Sequence, residues 1–281
     1  MSPISRLLPG GPLLNNSHRC ALVLGHPGHE LKVFGWMSEY KPRVFLITDG
    51  SGHQGLPRTL STAALLTELG SEPGELFGAL SDAEIYRAML ETDVRLFLNL
   101  VDRIADSFLK HKISLVAGDA AEGFNPTHDL CRALINAAVV KTQRATGRTI
   151  ANFEFSLTEW EQNSPEPQHD DHCHHFLLDD PLLASKLAAA AAYVELKNEV
   201  RMAIALRGKE YFRVECLRGV VEPAAAWNGS PKPAYEAWGQ HRVQEGKYRA
   251  VIRFDQHIRP ILEAILEHAL YGEPLLVGDK R

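Results

Sequence analysis

His26 and His29 flank a proline and a glycine directly after the apolar run 20–25, so both imidazoles can be aimed into one crevice. His128 opens a helix-like segment far along the chain, after another apolar run. A lone histidine is more often a cap or a hydrogen-bonded core residue; two flanking a tight turn at a strand end are less ordinary. Three neutral imidazoles drawn from two loops make a three-ligand site with an open position, the arrangement of catalytic rather than structural zinc. An all-imidazole set also suits iron or another divalent transition metal. His53, just after Gly52, is placed to line the same pocket.

Side chains so far apart in sequence meet only if the fold delivers them. The runs 20–25, 43–48 and 113–117 are short, apolar and end at Gly or Asp-Gly, which suits strands buried on both faces. Between and after them the spacing predicts helices over 30–40, 59–70, 81–110 and 126–145, with Ser81 and Glu84 forming a capping box, and a further strand over 149–157. Strands separated by helices pair in parallel, because parallel pairing needs long crossovers. The expected fold class is therefore α/β: a Rossmann-like open parallel sheet flanked by helices. In such sheets chemistry gathers beyond the carboxyl ends of the strands, which selects segments 25–30, 49–53 and 118–129. The remaining pattern predicts a helix over 181–207, a strand over 211–217 and a helix over 258–270, with 227–239 rich in proline and aromatics. We read residues 1–19 as a frayed leader, 20–160 as the metal-binding core and 161–281 as an extension packed on that core to complete one domain.

The chain has 281 residues, with 30 basic and 35 acidic side chains and a net charge of −5, which argues against nucleic-acid binding through bulk charge. At 45% hydrophobic and 23% charged it has globular composition. The alanine-rich run 182–194 is broken by Ser185 and Lys186 and falls short of the ~20 apolar residues that span a bilayer. The first residues lack the apolar stretch of about 7–15 residues of a secretory signal, so the expectation is a cytoplasmic protein with no membrane partner. Cys20, Cys131, Cys173 and Cys216 are irregularly spaced with no Cys-x-x-Cys pair, which reads as reduced thiols. Neither Gly25-x-x-Gly28 nor Gly50-x-Gly52 completes a dinucleotide fingerprint, and no nucleophile elbow or P-loop is present. The cluster His169-Asp170-Asp171-His172-Cys173-His174-His175 reads as a polar loop or lid over the site, with an accessory metal site as the alternative.

Over roughly residues 20–160 the chain resembles the PIG-L/LmbE-like N-deacetylases, zinc enzymes with a Rossmann-like core that remove acetyl groups from N-acetylglucosamine-type sugars. The family's His-Pro-Asp-Asp-Glu appears here as His26-Pro27-Gly28-His29-Glu30, its Thr-x-Gly-x-x as Thr48-Asp49-Gly50-Ser51-Gly52, and its His-Pro-x-His as Asn125-Pro126-Thr127-His128. The resemblance implies zinc ligands at His26, His29 and His128, with a histidine in place of the family's ligand aspartate. It implies substrate contacts for Arg58 and for Asp82.

Two departures stand out. Gly28 occupies the position of the family's general base and has no side chain to take a proton. Asn125 replaces a histidine that steadies the oxyanion, and its amide still donates a hydrogen bond. The base must then come from another carboxylate at this edge; Glu122, in the loop leading to His128, is the first choice and Asp49 the second, with Asp119 and Glu30 also on these loops. Asp129 is either a partner orienting an imidazole or a first-turn aspartate at a helix start. The expected function is a zinc-dependent hydrolase removing an N-acyl group from an N-acetylglucosamine-like sugar or related small molecule. The alternatives are a non-catalytic metal- or ligand-binding protein on that scaffold, and a metal-dependent enzyme of different chemistry.

Overall fold

The computed structural model describes residues 4–6, 18–52, 55–158, 173–221 and 233–272. Strand β1 is Ile4–Arg6 and β2 is Cys20–Leu24, whose five side chains are all buried, as in a strand covered on both faces. On one side of β2 lies β3 (Arg43–Thr48), followed by β4 (Glu72–Leu80); on the other lie β5 (Leu115–Asp119) and β6 (Ala151–Phe155). All of these neighbours run parallel. Strand β4 had no sequence signal, because its acidic residues, Pro73 and two glycines mask a segment whose one fully buried side chain is Leu76.

The later part of the chain extends this sheet as well as packing on it. Strands β7 (Cys173–Leu178) and β8 (Val214–Gly219) join antiparallel, β8 against β6 and β7 against β8. Strand β1 then pairs with β7, so part of the expected leader is an edge strand. The result is an eight-stranded sheet in the order β1-β7-β8-β6-β5-β2-β3-β4, parallel from β6 to β4 and antiparallel beyond. The α/β class expected from sequence is the observed one, with a mixed rather than wholly parallel sheet.

Helices cover both faces. On one, Val23, Phe45 and Val116 pack against α4 (Val94–Lys110), α5 (Pro126–Thr146) and α9 (Arg259–Tyr271). On the other, Leu22, Leu24 and Leu46 pack against α1 (Phe34–Tyr40) and α6 (Asp180–Ala192). The remaining helices are α2 (Thr59–Leu69), α3 (Asp82–Leu90), α7 (Lys197–Arg207) and α8 (Ala234–Gln244).

Two expected long helices are broken. The capping box forms, with Ser81 accepting from the Glu84 amide and Glu84 accepting from the Ser81 amide at 2.7 Å, but α3 stops where Thr92 turns to φ +52°. Asp93 then caps α4 through the Leu96 amide, and such side-chain bonding competes with helix continuation. The second break is at Tyr193, whose hydroxyl bonds buried Glu30 and lies 2.8 Å from Thr62 Oγ1; that tertiary anchor ends α6. The strand expected over 211–217 begins late, because a 3-10 turn, Lys209–Arg213, precedes β8.

Behind the first ligand loop, Glu215 on β8 is 1% exposed and accepts the Gly35 and Trp36 amides at 2.8 and 3.0 Å. Lys186 of α6, 6% exposed, donates to the same carboxylate at 2.9 Å. This pair joins α1, α6 and β8 by capping the start of α1.

Candidate metal centre

The turn after β2 and the start of α5 bring His26, His29 and His128 together, with ring centroids 5.4, 5.1 and 4.7 Å apart. Asn125 caps α5 by accepting the Thr127 amide at 2.9 Å, and Pro126 follows at the first helical position, where its missing N–H is not needed. His128 therefore projects from the first turn of a well-anchored helix. Gly25 makes the approach feasible: a Cβ there would lie 3.0 Å from Asp119 Oδ2 and 3.5 Å from the His128 ring.

Carboxylates orient two of the rings. His29 Nδ1 is 2.9 Å from Asp119 Oδ2, which also accepts the Gly25 amide at 2.7 Å. His26 Nδ1 lies 2.7 Å from Thr48 Oγ1 and 3.2 Å from Asp82 Oδ1. Burial works against an ionised Asp82, yet the bonds from His26, Thr48 and the Gly52 amide hold its carboxyl well below the usual carboxylate range. Ionised carboxylates only accept, so each Nδ1 donates to its carboxylate and Nε2 is the ring atom left for another partner, as in carboxylate-oriented metal ligands. The Nε2 of His26 is buried without a hydrogen-bond partner. Burial, then the neighbouring His29 and His26, push the His128 pKa well below its usual value, so its imidazole is neutral. The orphaned buried Nε2 of His26, beside the neutral His128 ring and the Asp119-held ring of His29, is a donor set of the kind a divalent metal ion takes.

Gly28 leaves no room for a side chain. Gly28 has φ +104°, and a Cβ there would meet Leu196 Cδ1 at 2.5 Å, so an apolar side chain stands where the resembling family carries aspartate. Gly28→Asp is expected to destabilise the fold by about 2–4 kcal/mol, combining left-handed strain with overpacking. Urea denaturation measures it, and Gly28→Asp/Leu196→Ala should recover part of the loss. Equal stability of Gly28→Asp and wild type would show that Leu196 yields freely.

The other expected site residues distribute unevenly. Glu122 spends both carboxylate oxygens on the segment after β6, accepting from the Ser156 and Thr158 hydroxyls at 2.5 Å and from the Leu157 and Thr158 amides at 3.0 and 3.1 Å. Asp49 follows Thr48 and commits one oxygen, to the Ser51 amide at 2.9 Å. Asp82, expected to meet substrate, is engaged by His26 and by the Gly52 amide at 2.7 Å. Arg58 bonds the Asp49 carbonyl through its backbone and lays its side chain along Gly50 and Gly52. Glu30 is sealed in by the Gly28 amide and Tyr193. Among the described residues Asp129 orients no imidazole; it accepts the Glu122 and Gly123 amides at 3.0 and 3.1 Å and holds the loop, with burial raising its pKa to about 7. His53 lies outside the described residues, as do His169 and His172.

A cavity of about 140 Å³ is lined by Tyr86, Phe124, Asn125, Tyr235 and Trp238 among others. Tyr86 is one helical turn after Asp82, and Asn125 three residues before His128, so both helices that hold the centre also wall this cleft. Phe124 and Trp238 are 61% and 58% exposed. Sequence reading missed this aromatic wall because α8 had no legible helical pattern.

No family model and no curated protein sequence matches the chain. Among solved structures it is similar to a teicoplanin deacetylase in its zinc-inhibited form, at 12% identity and a TM-score of 0.50, covering 72% of this chain and 98% of that one. It is also similar to the deacetylase of the antimicrobial A40926 pseudoaglycone, at 18% identity and a TM-score of 0.48, covering 74% and 99% of the two chains. At such identities the shared property is the fold: this chain has the α/β architecture of a deacetylase of known structure.

Proposed function

We propose that the chain is a zinc-dependent hydrolase that removes an N-acyl group, acetyl in the simplest case, from an N-acetylglucosamine-like sugar or related small metabolite. The observation that carries the reading is the convergence of three imidazoles, two of them held by carboxylates with Nε2 left for a ligand. His26, His29 and His128 would hold the metal, which supplies a Lewis acid for the acyl carbonyl. Asp49 is the better base of the two expected, because among the described residues only one of its carboxylate oxygens is engaged, leaving the other to take a proton from the attacking water, whereas Glu122 is saturated as a loop clamp. Asn125 uses its carbonyl oxygen as the helix cap, which leaves its amide N–H groups to donate to the oxyanion. Arg58 supplies a cation for substrate hydroxyl or phosphate groups, and the aromatic cleft takes an apolar portion of the substrate. His53 remains a proposed pocket residue. The reading puts the reaction in the cytoplasm, where thiols stay reduced; among the described residues no helix is long and apolar enough to cross a membrane.

Leu196 over Gly28 favours a second reading, a metal-binding protein on this scaffold without hydrolysis. Elemental analysis of protein purified without added metal, followed by turnover on a panel of N-acyl sugars, separates the two. The hydrolase reading expects zinc that falls by one equivalent in His26→Ala and His128→Ala, and turnover lost in Asp49→Asn but kept in Glu122→Gln. Bound metal with no turnover on the panel favours the second reading. Metal content unchanged by both histidine variants overturns both.

A further inference from the structure

One motif is left unused by this centre, Cys173-His174-His175 at the start of β7. Alternate residues of a strand share a face, so Cys173 and His175 project to one side and Phe176 to the other. Phe176 and Leu217 of β8 are buried together in an apolar cluster, which fixes that side. On the opposite side the register sets His175 against Cys216 and Cys173 against Arg218. Cross-strand partners project together, so two cysteines, a histidine and an arginine form one patch. The two sulfurs and an imidazole nitrogen of His175 all lie within 4.8 Å of one another, each residue half-buried. The three imidazoles of the first centre are brought together by ring approach instead, with centroids 4.7–5.4 Å apart.

We propose that Cys173, His175 and Cys216 form a second metal site, taking zinc through two thiolates and one neutral imidazole. Two thiolates balance the charge of a divalent ion, and sulfur donors select zinc over magnesium or calcium. Arg218, cross-strand from Cys173, is bonded to Glu154 at 2.6 Å, which ties β8 to β6 beside the donors. The strands bearing the donors are pinned from behind by the apolar cluster, so the ligands are held before the ion arrives. Three protein donors leave a fourth position open. The metal would rivet β7 to β8, the pair through which β1 joins the sheet.

The test is cobalt titration of the full chain under reducing conditions, with zinc alone as competitor. The expected result is a sulfur-to-cobalt charge-transfer absorption that zinc abolishes, absent in Cys173→Ser and Cys216→Ser and retained in His26→Ala. Zinc content should be about two ions per chain, one lost with each class of variant, so failure at one centre leaves the other readable. A second measurement needs no variant: zinc should slow alkylation of Cys173 and Cys216, followed by peptide mass mapping. A cobalt spectrum without the sulfur band, alkylation indifferent to zinc, or a Cys173 to Cys216 disulfide in protein purified under reductant would overturn the proposal.

Discussion

Lys186→Met is expected to lower the free energy of unfolding by about 3–5 kcal/mol, the cost of stranding a buried carboxylate. Glu215 would keep the Gly35 and Trp36 amides but lose its cation in a site that is 1% exposed. The effect reads as a lower urea midpoint with an unchanged slope. Lys186→Met/Glu215→Gln should regain part of the loss, since a neutral amide still accepts from the helix start. A loss under about 1 kcal/mol for the single variant would place the pair among weak exposed ion pairs, against its burial. Because α1 follows the turn bearing His26 and His29, a shaken α1 should also loosen metal binding.

Asp119→Asn is expected to weaken zinc binding by about 10–100-fold, the usual cost of losing a carboxylate that orients a ligand imidazole. The measurement is zinc affinity by competition with a chelator. Asp119 is fully buried with Oδ1 unpartnered, so an asparagine oxygen can still accept the Gly25 amide but its buried N–H2 group lacks an acceptor, and stability should fall by about 1–3 kcal/mol. Zinc affinity measured well below the urea midpoint, on folded protein, separates an orienting role from a structural one. Affinity within about twofold of wild type would remove Asp119 from the centre. Asp82→Asn should act in the same direction through His26.

The parallel half of the sheet was legible because buried parallel strands are continuous apolar runs ending in glycine or Asp-Gly, as 20–25 and 43–48 are. Strand β4 was not, since an edge strand buries little and tolerates proline. The helix breaks at Thr92 and Tyr193 answer to a local cap and to a distant carboxylate, and neither interrupts the hydrophobic period. For the centre, histidines beside a strand-end turn were readable by type and place. The orienting roles of Asp82 and Asp119 were hidden, because a carboxylate at a strand end or helix start has many ordinary uses. Glu122 was read for its chemical type, but its partners at 156–158 arrive from another loop. Cys173 and Cys216 looked scattered because antiparallel pairing, which no sequence spacing encodes, sets their registers.

A long flat edge strand is a template on which another chain can add itself. Here one margin is β1, three residues long, and the other is β4, where Pro73 lacks a donor and the pairing with β3 shifts register twice. Both margins thus offer a poor ladder to a neighbour, which works against chain-to-chain stacking. Cutting away β1 would bare β7, a longer strand with Phe176 and Leu178 on one side and Cys173 and His175 on the other. The three residues Ile4–Arg6 therefore act as a selvedge, protecting a sheet whose next strand is far better suited to self-association.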